Sequence, residues 1–205
     1  MGSFLAVSAF RDRSIDAVAE SVRRFMSPHG VAFEIVSAAE PDPHADAAAY
    51  APSNGWTVFL WPEHFNLHDI PLCEAVSGDL QTLVSTVHVY DDDYWTHALF
   101  DRSALVDRFA SMPGYFADDA EQAAMLARAW AGDPNRLGDT LDVAPEMIRP
   151  YLVHVDNEAE EWPKAFPDDE FDLENFWVFV DLWRRVGIAY PEEVEAIVLH
   201  GARHC

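Results

Sequence analysis

Two histidines in the segment Thr82–Phe109 have a spacing that could place both on one metal ion. The segment is typical of short strands joined by tight turns, because its apolar runs are rich in β-branched and aromatic residues. His88 and His97 flank its first turn, Asp91–Asp93. If that turn has two residues, the histidines pair directly, with Cβ atoms roughly 5 Å apart. If it has three, His88 lies opposite Thr96 and the two imidazoles face opposite sides of the sheet.

We favour two ordinary strand histidines over a metal site, so His88 and His97 are weak metal candidates and no cofactor is predicted. His64 and His68 are four residues apart, as zinc ligands on a helix are. The helix is expected to begin after His68, however, and the pattern H-E-x-x-H is absent. A pair of ordinary loop histidines is therefore favoured there too.

Nucleophilic catalysis has only one candidate residue, Cys73, near the start of the second predicted helix. A thiolate is stabilised in such a position, and His64 or His68 could in principle partner it. With apolar neighbours, a small buried side chain is the favoured interpretation. Neither the pattern Gly-x-Ser-x-Gly nor a phosphate-binding glycine pattern occurs. The sequence therefore names no catalytic residue.

Acidic residues next to aromatic ones point to a different chemistry, the binding of a cationic side chain. Acids supply Coulomb attraction and aromatic rings supply contact area. The stretch 156–174 has the same character, with nine acids and one base. The turn lacks the alternating ligands and the glycine of a calcium-binding EF-hand loop. We predict a partner-binding surface made of Asp91, Asp92, Asp93, Tyr94, Trp95, Glu158, Glu160, Glu161 and Trp162.

The overall charge agrees with a basic partner. The 205 residues include 36 acidic and 13 basic side chains, a net charge of −23. Phosphate binding requires the opposite sign, so nucleic acid and anionic membranes are excluded as expected partners. Half of the residues are hydrophobic and 13% are aromatic, which predicts a folded core. With no secretory signal, no apolar run of about 20 residues and no disulfide framework from two cysteines, a cytoplasmic protein is expected.

The elements that would position these residues begin with a strand at Phe4–Phe10 and a helix capped by Ser14. Strands at Val31–Ile35 and Trp56–Trp61 follow, and the residues between them, 38–54, are predicted to be a loop. A second helix, capped by Asp69, then leads into the meander. This order matches a ferredoxin-like βαββαβ unit with additional strands.

After Phe109 the pattern becomes helical. Asp118 or Asp119 is placed to cap one helix, Asp172 another, and Tyr190-Pro191 is expected to open a last one containing Val194, Ile197 and Val198. We predict an α+β protein: a ferredoxin-like α/β sandwich with an added antiparallel meander over residues 1–110, and a helical C-terminal portion packed on it over residues 111–205.

A further pattern spans about residues 82–140. Val106–Phe109, Pro113–Phe116 and Gly132-Asp133 followed by Leu137 resemble a pattern found in an uncharacterised group of bacterial proteins. The group has no assigned activity. The resemblance implies that the strand hairpin and the connector after it belong to one structural unit, and it assigns no catalytic residue.

Three functions are open at this point. The leading hypothesis is an acidic, cytoplasmic, non-enzymatic module that binds a basic protein, as an immunity protein or inhibitor does. The first alternative is a metal-dependent enzyme or small-ligand-binding protein that uses His88 and His97. The second is a homodimeric scaffold.

Overall fold

The computed structural model describes residues 4–29, 31–37, 46–62, 69–155, 162–191 and 196–203. Within these ranges the protein is α+β, which confirms the class predicted from the sequence, while the finer ferredoxin-like topology stays a prediction. The strands are β1 (Leu5–Arg11), β2 (Val31–Ser37), β3 (Asp46–Tyr50), β4 (Trp56–Trp61), β5 (Leu83–Tyr90), β6 (Tyr94–Asp101), β7 (Ala104–Ala110) and β8 (Ala196–Arg203). The helices are α1 (Ile15–Met26), α2 (Asp69–Leu80), α3 (Ala120–Ala129), α4 (Pro134–Leu141) and α5 (Val178–Arg185).

These strands form one antiparallel sheet in the order β2-β8-β3-β4-β1-β5-β6-β7. β1 pairs with β4 on one side and with β5 on the other. β4 was predicted to be a central strand because it is apolar on both faces, and it does lie between β3 and β1. The meander predicted from Thr82 to Phe109 is β5-β6-β7.

Helix α1 forms where its sequence signals place it. Its cap, Ser14, is extended, and the Ser14 hydroxyl accepts a hydrogen bond from the Ala17 N–H. The side chains of Val18, Val22 and Met26, spaced at helical intervals, are buried against the sheet. The second expected cap, Asp119, likewise accepts from Gln122 N–H at the start of α3.

Alternation along the central strands gives each face of the sheet its own core, and each fully buried apolar side chain contributes roughly 1.5–3 kcal/mol. The first core, under α1 and α2, includes Ala6, Phe10, Val18, Val22, Phe59, Leu72, Val76, Val84, Ala98 and Phe100. The second core, on the opposite face under α4, α5 and two 3₁₀ turns, includes Val7, Val58, Val87, Trp95, Leu99, Phe109, Leu137, Ile148, Tyr151, Phe179 and Trp183.

Residues 196–203 form the strand β8, so the helix predicted to open at Tyr190-Pro191 is wrong over these residues. Val194, which was expected in the same helix, lies outside the described residues. β8 lies between β2 and β3, where both of its edges are paired. The predicted loop 38–54 is also wrong in part, because residues 46–50 form β3, whose first four residues are buried. β8 forms through β2 and β3, which lie far away along the chain, and local sequence carries no record of them. β3 pairs with the nearby β4 as well as with β8, but its three alanines gave no strand signal.

The predicted helical C-terminal portion is thus only partly helical. Between residues 111 and 191, the described part contains α3, α4, α5 and short 3₁₀ turns, separated by irregular segments. The helix predicted from Asp172 begins later, at Val178. The division into two parts at residue 110 stays a prediction, although β8 returns residues 196–203 to the sheet.

Candidate functional site

A cavity of about 440 Å³ opens on the sheet face that carries α2. Its floor is made by the end of β5, the start of β6 and the end of β7, next to the first turn of α2. The connector after β7 and one face of α3 form its sides. The lining residues are Ile70, His88, Tyr90, Tyr94, Thr96, Ala110, Met112, Pro113, Tyr115, Phe116, Leu126 and Trp130.

Four of these side chains form what we call the aromatic wall: Tyr90, Tyr94, Tyr115 and Phe116. Each of the four rings contacts the other three, with centroid separations from 4.8 Å for Tyr94 and Tyr115 to 6.0 Å for Tyr90 and Tyr115. Edge-to-face and tilted geometries predominate, as the ring quadrupoles favour. Phe116 nevertheless keeps 58% of its surface exposed. The wall therefore has one side open to solvent, where Phe116 is its most exposed ring.

Strand register and a tight turn build this wall. Tyr90 and Tyr94 are directly opposed across β5 and β6, so their rings project from the same face of the sheet. The connector bends through two backbone hydrogen bonds, from Tyr115 N–H to the Met112 carbonyl and from Ala117 N–H to the Gly114 carbonyl. This bend places Tyr115 and Phe116 beside the strand pair.

The turn Asp91–Asp93, which we call the acidic turn, lies at the edge of the wall. All three aspartates are exposed, and Asp91 and Asp92 adopt positive φ angles of 57° and 60°, which aspartate tolerates better than most residues. The Tyr115 hydroxyl donates a 2.6 Å hydrogen bond to Asp93 Oδ2. Wall and turn are therefore one connected surface.

Two tyrosines of the wall, Tyr94 and Tyr115, stay neutral. The hydrogen bond to Asp93, followed by burial and the charges of the acidic turn, raises the pKa of Tyr115 to about 12. Burial is the main cause that raises the pKa of Tyr94 to about 12. The same negative potential that opposes a phenolate favours a cation at the mouth of the cavity. The site can therefore hold a positive group, with ring faces and carboxylates acting together.

Trp95 does not belong to this surface, contrary to the sequence-based prediction. Its side chain is 1% exposed and packs in the second core, where its ring lies 5.0 Å from that of Phe109. The reason is strand alternation: Tyr94 faces the cavity, so its neighbour must face the other side. A partner cannot contact Trp95 without unfolding the sheet.

The second predicted acidic patch is mostly outside the described residues, since Glu158, Glu160 and Glu161 all lie there. Trp162 is described and is half-buried against the second core. Its indole nitrogen is buried without a hydrogen-bond partner among the described residues. Trp162 is not among the residues that line the cavity, so the structure does not bring the described parts of the two predicted patches together.

The two candidate metal ligands lie on opposite faces of the sheet. The acidic turn has three residues, so His88 pairs with Thr96 and His97 with Val87. His88 lines the cavity. His97 is buried in the other face, where its Nε2 lies 2.9 Å from Ser85 Oγ. The shared metal site that a two-residue turn would create is therefore wrong, and the described ranges contain no group of three potential metal ligands.

Burial gives His97 a role in the dependence of stability on pH. It lowers the pKa of His97 from 6.5 to about 4, so the folded protein holds a neutral imidazole. The contribution of His97 to the free energy of unfolding is fully present above the pKa that it has in the unfolded chain. It is lost as pH falls toward the lower pKa that His97 has in the folded protein. Between pH 7 and pH 4 the free energy of unfolding should fall by roughly 3 kcal/mol less in His97→Gln than in the wild type.

Denaturant titrations at several pH values would measure this change. The matched control is His88→Gln, the same substitution on the cavity face of the same strand pair, which reports the effect of the substitution itself. Equal slopes for the wild type and His97→Gln would show that His97 is not buried in its neutral form.

Cys73 has no access to solvent. It is 0% exposed in the first core, and its sulfur lies 3.1 Å from the Ser8 hydroxyl. That hydroxyl also contacts Thr86 Oγ1 at 2.8 Å and accepts a hydrogen bond from Trp61 Nε1. The cluster stabilises the core and is closed to a substrate. The candidate partners His64 and His68 lie outside the described residues.

Sequence reasoning did not identify four of the aromatic residues that line the cavity: Tyr90, Tyr115, Phe116 and Trp130. A usable signal was present, because Tyr115-Phe116 follows Pro113-Gly114 and a large aromatic pair after such a turn is expected to be exposed. Tyr90 could have been found from the register, since a three-residue turn pairs it with Tyr94. Trp130 carried no local signal.

No model of a known family matches the chain, and no curated protein or solved structure matches it either. In the part of the chain that the structure describes, no helix has both the length and the apolar character needed to cross a membrane.

Proposed function

We propose that this protein is a binding module for a basic protein partner, in the manner of an immunity protein or inhibitor, and that it binds through the aromatic wall and the acidic turn. The observation that carries the proposal is the contact between Tyr115 and Asp93, which joins an open aromatic surface to exposed carboxylates. Aromatic side chains are enriched among the residues that dominate binding energy. Charged residues at the edge of such a surface give specificity and fast association.

The charge of the whole chain supports the same partner. A net charge of −23 attracts a basic protein over long distances and repels acidic competitors. An inhibitor that neutralises a cationic active site gains association rate from this attraction. Salt screens the attraction, so binding should weaken as ionic strength rises.

Neutralising the acidic turn tests the proposal. We expect the triple variant Asp91→Asn, Asp92→Asn, Asp93→Asn to associate with the basic partner roughly tenfold more slowly at low salt, because steering and edge contacts are both lost. The matched control, Glu74→Gln, Asp139→Asn, Glu146→Gln, changes the net charge equally at three exposed acids outside the cavity.

The measurement is affinity capture at low salt from the cells that make the protein, followed by association kinetics with the captured polypeptide. A basic polypeptide retained by the control variant and lost by the turn variant supports the proposal. Equal losses in both variants would mean that net charge alone acts. If the wild-type protein captures no basic polypeptide, the proposal fails.

We also propose that β1, α1, β3, β4, α2 and β5 form a ferredoxin-like unit. In this unit β3 takes the place of the strand predicted at Val31–Ile35, because β2 pairs with β8 and β3 pairs with β4. The order β3-β4-β1-β5, with every pair antiparallel, supports this. β6 and β7 then extend one side of the unit, and β8 and β2 the other. The cavity lies at the ends of β5, β6 and β7, next to the start of α2, where this helix does not cover the sheet. A cytoplasmic location and a homodimeric scaffold remain predictions, and sizing at two concentrations would test the dimer.

A further inference from the structure

The aromatic wall is a cluster of rings in mutual contact and not a cage. A cage that encloses a quaternary ammonium group needs rings held apart around a central space, with the cation over the face of each. Here the four rings contact one another, with no pair of centroids more than 6.0 Å apart. A cation therefore cannot lie between them, and it must lie on their open side. A flat cation makes the larger contact there.

The hydrogen-bond acceptors are at the edge of this surface. Asp93 Oδ2 accepts from the Tyr115 hydroxyl, and all three aspartates of the acidic turn are exposed. Among the described residues, those that line the cavity include no lysine or arginine. A ligand that stacks on the wall can thus present N–H donors sideways to carboxylate oxygens.

The protein uses the same double contact internally. The Arg108 guanidinium lies 4.9 Å from the centroid of the Trp130 ring at the other side of the cavity, while its Nε donates to the Ala129 carbonyl. The Arg185 guanidinium lies 4.5 Å from the Phe166 ring, and its Nη2 binds the carboxylates of two aspartates. In both cases the flat face of the guanidinium lies over an aromatic ring, and its N–H groups donate to oxygen atoms.

We propose that the anchor of the basic partner is an arginine side chain, stacked on the aromatic wall with its edge against the acidic turn, of which Asp93 contacts the wall directly. This inference rests on the proposed function and names the group that the site selects. Lysine fits less well, because an ammonium is a compact, strongly hydrated charge that cannot stack and bind sideways at once. A quaternary ammonium has no N–H to give the carboxylates.

The test compares two short blocked peptides that differ only in carrying arginines or lysines at the same positions, titrated into the full-length protein by calorimetry. We expect the arginine peptide to bind roughly tenfold more tightly, because stacking and bidentate hydrogen bonding add to the shared charge attraction. NMR shifts of the Tyr94, Tyr115 and Phe116 rings should accompany its binding. Choline serves as the third probe, and we expect it not to shift these rings.

Two variants separate stacking from charge. Phe116→Leu and Tyr115→Leu keep apolar side chains but remove ring faces, and each should bring the two peptides close to equal affinity. Met125→Leu is the control, because Met125 is exposed on α3 and does not line the cavity. Thermal unfolding of each variant verifies that it is folded.

Equal binding of the two peptides by the wild type, absence of binding by both, or an arginine preference that survives in Tyr115→Leu would each overturn this inference. Tight binding of choline would overturn it in favour of a quaternary ammonium. These outcomes can be distinguished from a failure of the proposed function. If the protein still captures a basic polypeptide in a manner that depends on the acidic turn, the proposed function holds and only the arginine anchor is wrong.

Discussion

Replacing Asp169 with alanine should lower the free energy of unfolding by about 3–5 kcal/mol, the largest effect that we expect from a single charged residue of this protein. The Asp169 side chain is 0% exposed. Its carboxylate accepts hydrogen bonds from the Tyr151 hydroxyl at 2.8 and 2.9 Å, from the Phe166 N–H at 2.9 Å, and from Arg184 and Arg185. Removal of the carboxylate leaves the buried Tyr151 hydroxyl and the part-buried Phe166 N–H without this acceptor.

Asp168→Ala is the matched control. Asp168 accepts from the same Nη2 of Arg185, at 2.6 Å, but its side chain is 69% exposed. Because water solvates the exposed Asp168 carboxylate and Arg185 keeps Asp169 as its partner, the control should be nearly as stable as the wild type. Urea denaturation of both variants measures the difference. Similar losses for the two would show that burial does not decide the strength of these pairs.

The Asp169 network explains how a strongly acidic segment is ordered. Residues 162–177 have no helix or strand of their own. Besides Asp169, the buried carboxylate of Asp181 accepts from the N–H groups of Glu170 and Phe171. Some of the acids in this stretch are therefore structural, and others are left to solvent. The acidic stretch cannot be treated as one uniform binding surface.

Trp95→Ala should be the most damaging change in the meander, with a loss of about 3–5 kcal/mol, because it leaves a cavity the size of an indole in the second core. Two backbone contacts of the same residue survive the change. The Trp95 N–H donates to Ser111 Oγ, and the Trp95 carbonyl accepts from the Ser111 N–H. The expected loss is therefore one of packing alone.

Phe116→Ala provides the contrast. Phe116 is also a large aromatic residue, but 58% of its surface is exposed, so its removal should change stability by about 0.5 kcal/mol or less while it weakens binding of a basic partner. Thermal and chemical unfolding of the two variants measure this. If Trp95→Ala were as stable as the wild type but did not bind the partner, Trp95 would belong to the binding surface after all.

The two faces of the meander have different roles. One face of β5 and β6 carries Tyr90 and Tyr94 and lines the cavity, whereas the other carries Trp95 and His97 and is buried. Mutations on the first face should change affinity with little effect on stability. Those on the second should do the reverse.

The local elements with the clearest sequence signals were predictable. Ser14 and the helical spacing of Val18 and Val22 specified α1, because a cap and an apolar stripe act within a few residues. The β-branched and aromatic runs around Asp91–Asp93 specified a hairpin for the same reason. The α+β class follows from such local patterns.

Long-range pairing was not predictable. β3 and β8 come from distant parts of the chain, where Asp46 pairs with His200, and each is extended because its neighbours supply hydrogen bonds. Alanine is depleted in strands, so the three alanines of Asp46–Tyr50 gave no strand signal and the segment was assigned to a loop. The helix expected near Ile197 failed likewise, because tertiary pairing overrides a weak local propensity.

The sequence by itself determined the charge, the acidic turn and the presence of aromatic residues beside it, all of which are properties of composition and short-range spacing. Only the tertiary structure decided which aromatic residues line the cavity. The length of the turn sets the register, and a shift of one residue moves every side chain to the other face of the sheet. Three residues in the turn separate His88 from His97 and oppose Tyr90 to Tyr94. The connector then adds Tyr115 and Phe116, and this packing completes the site.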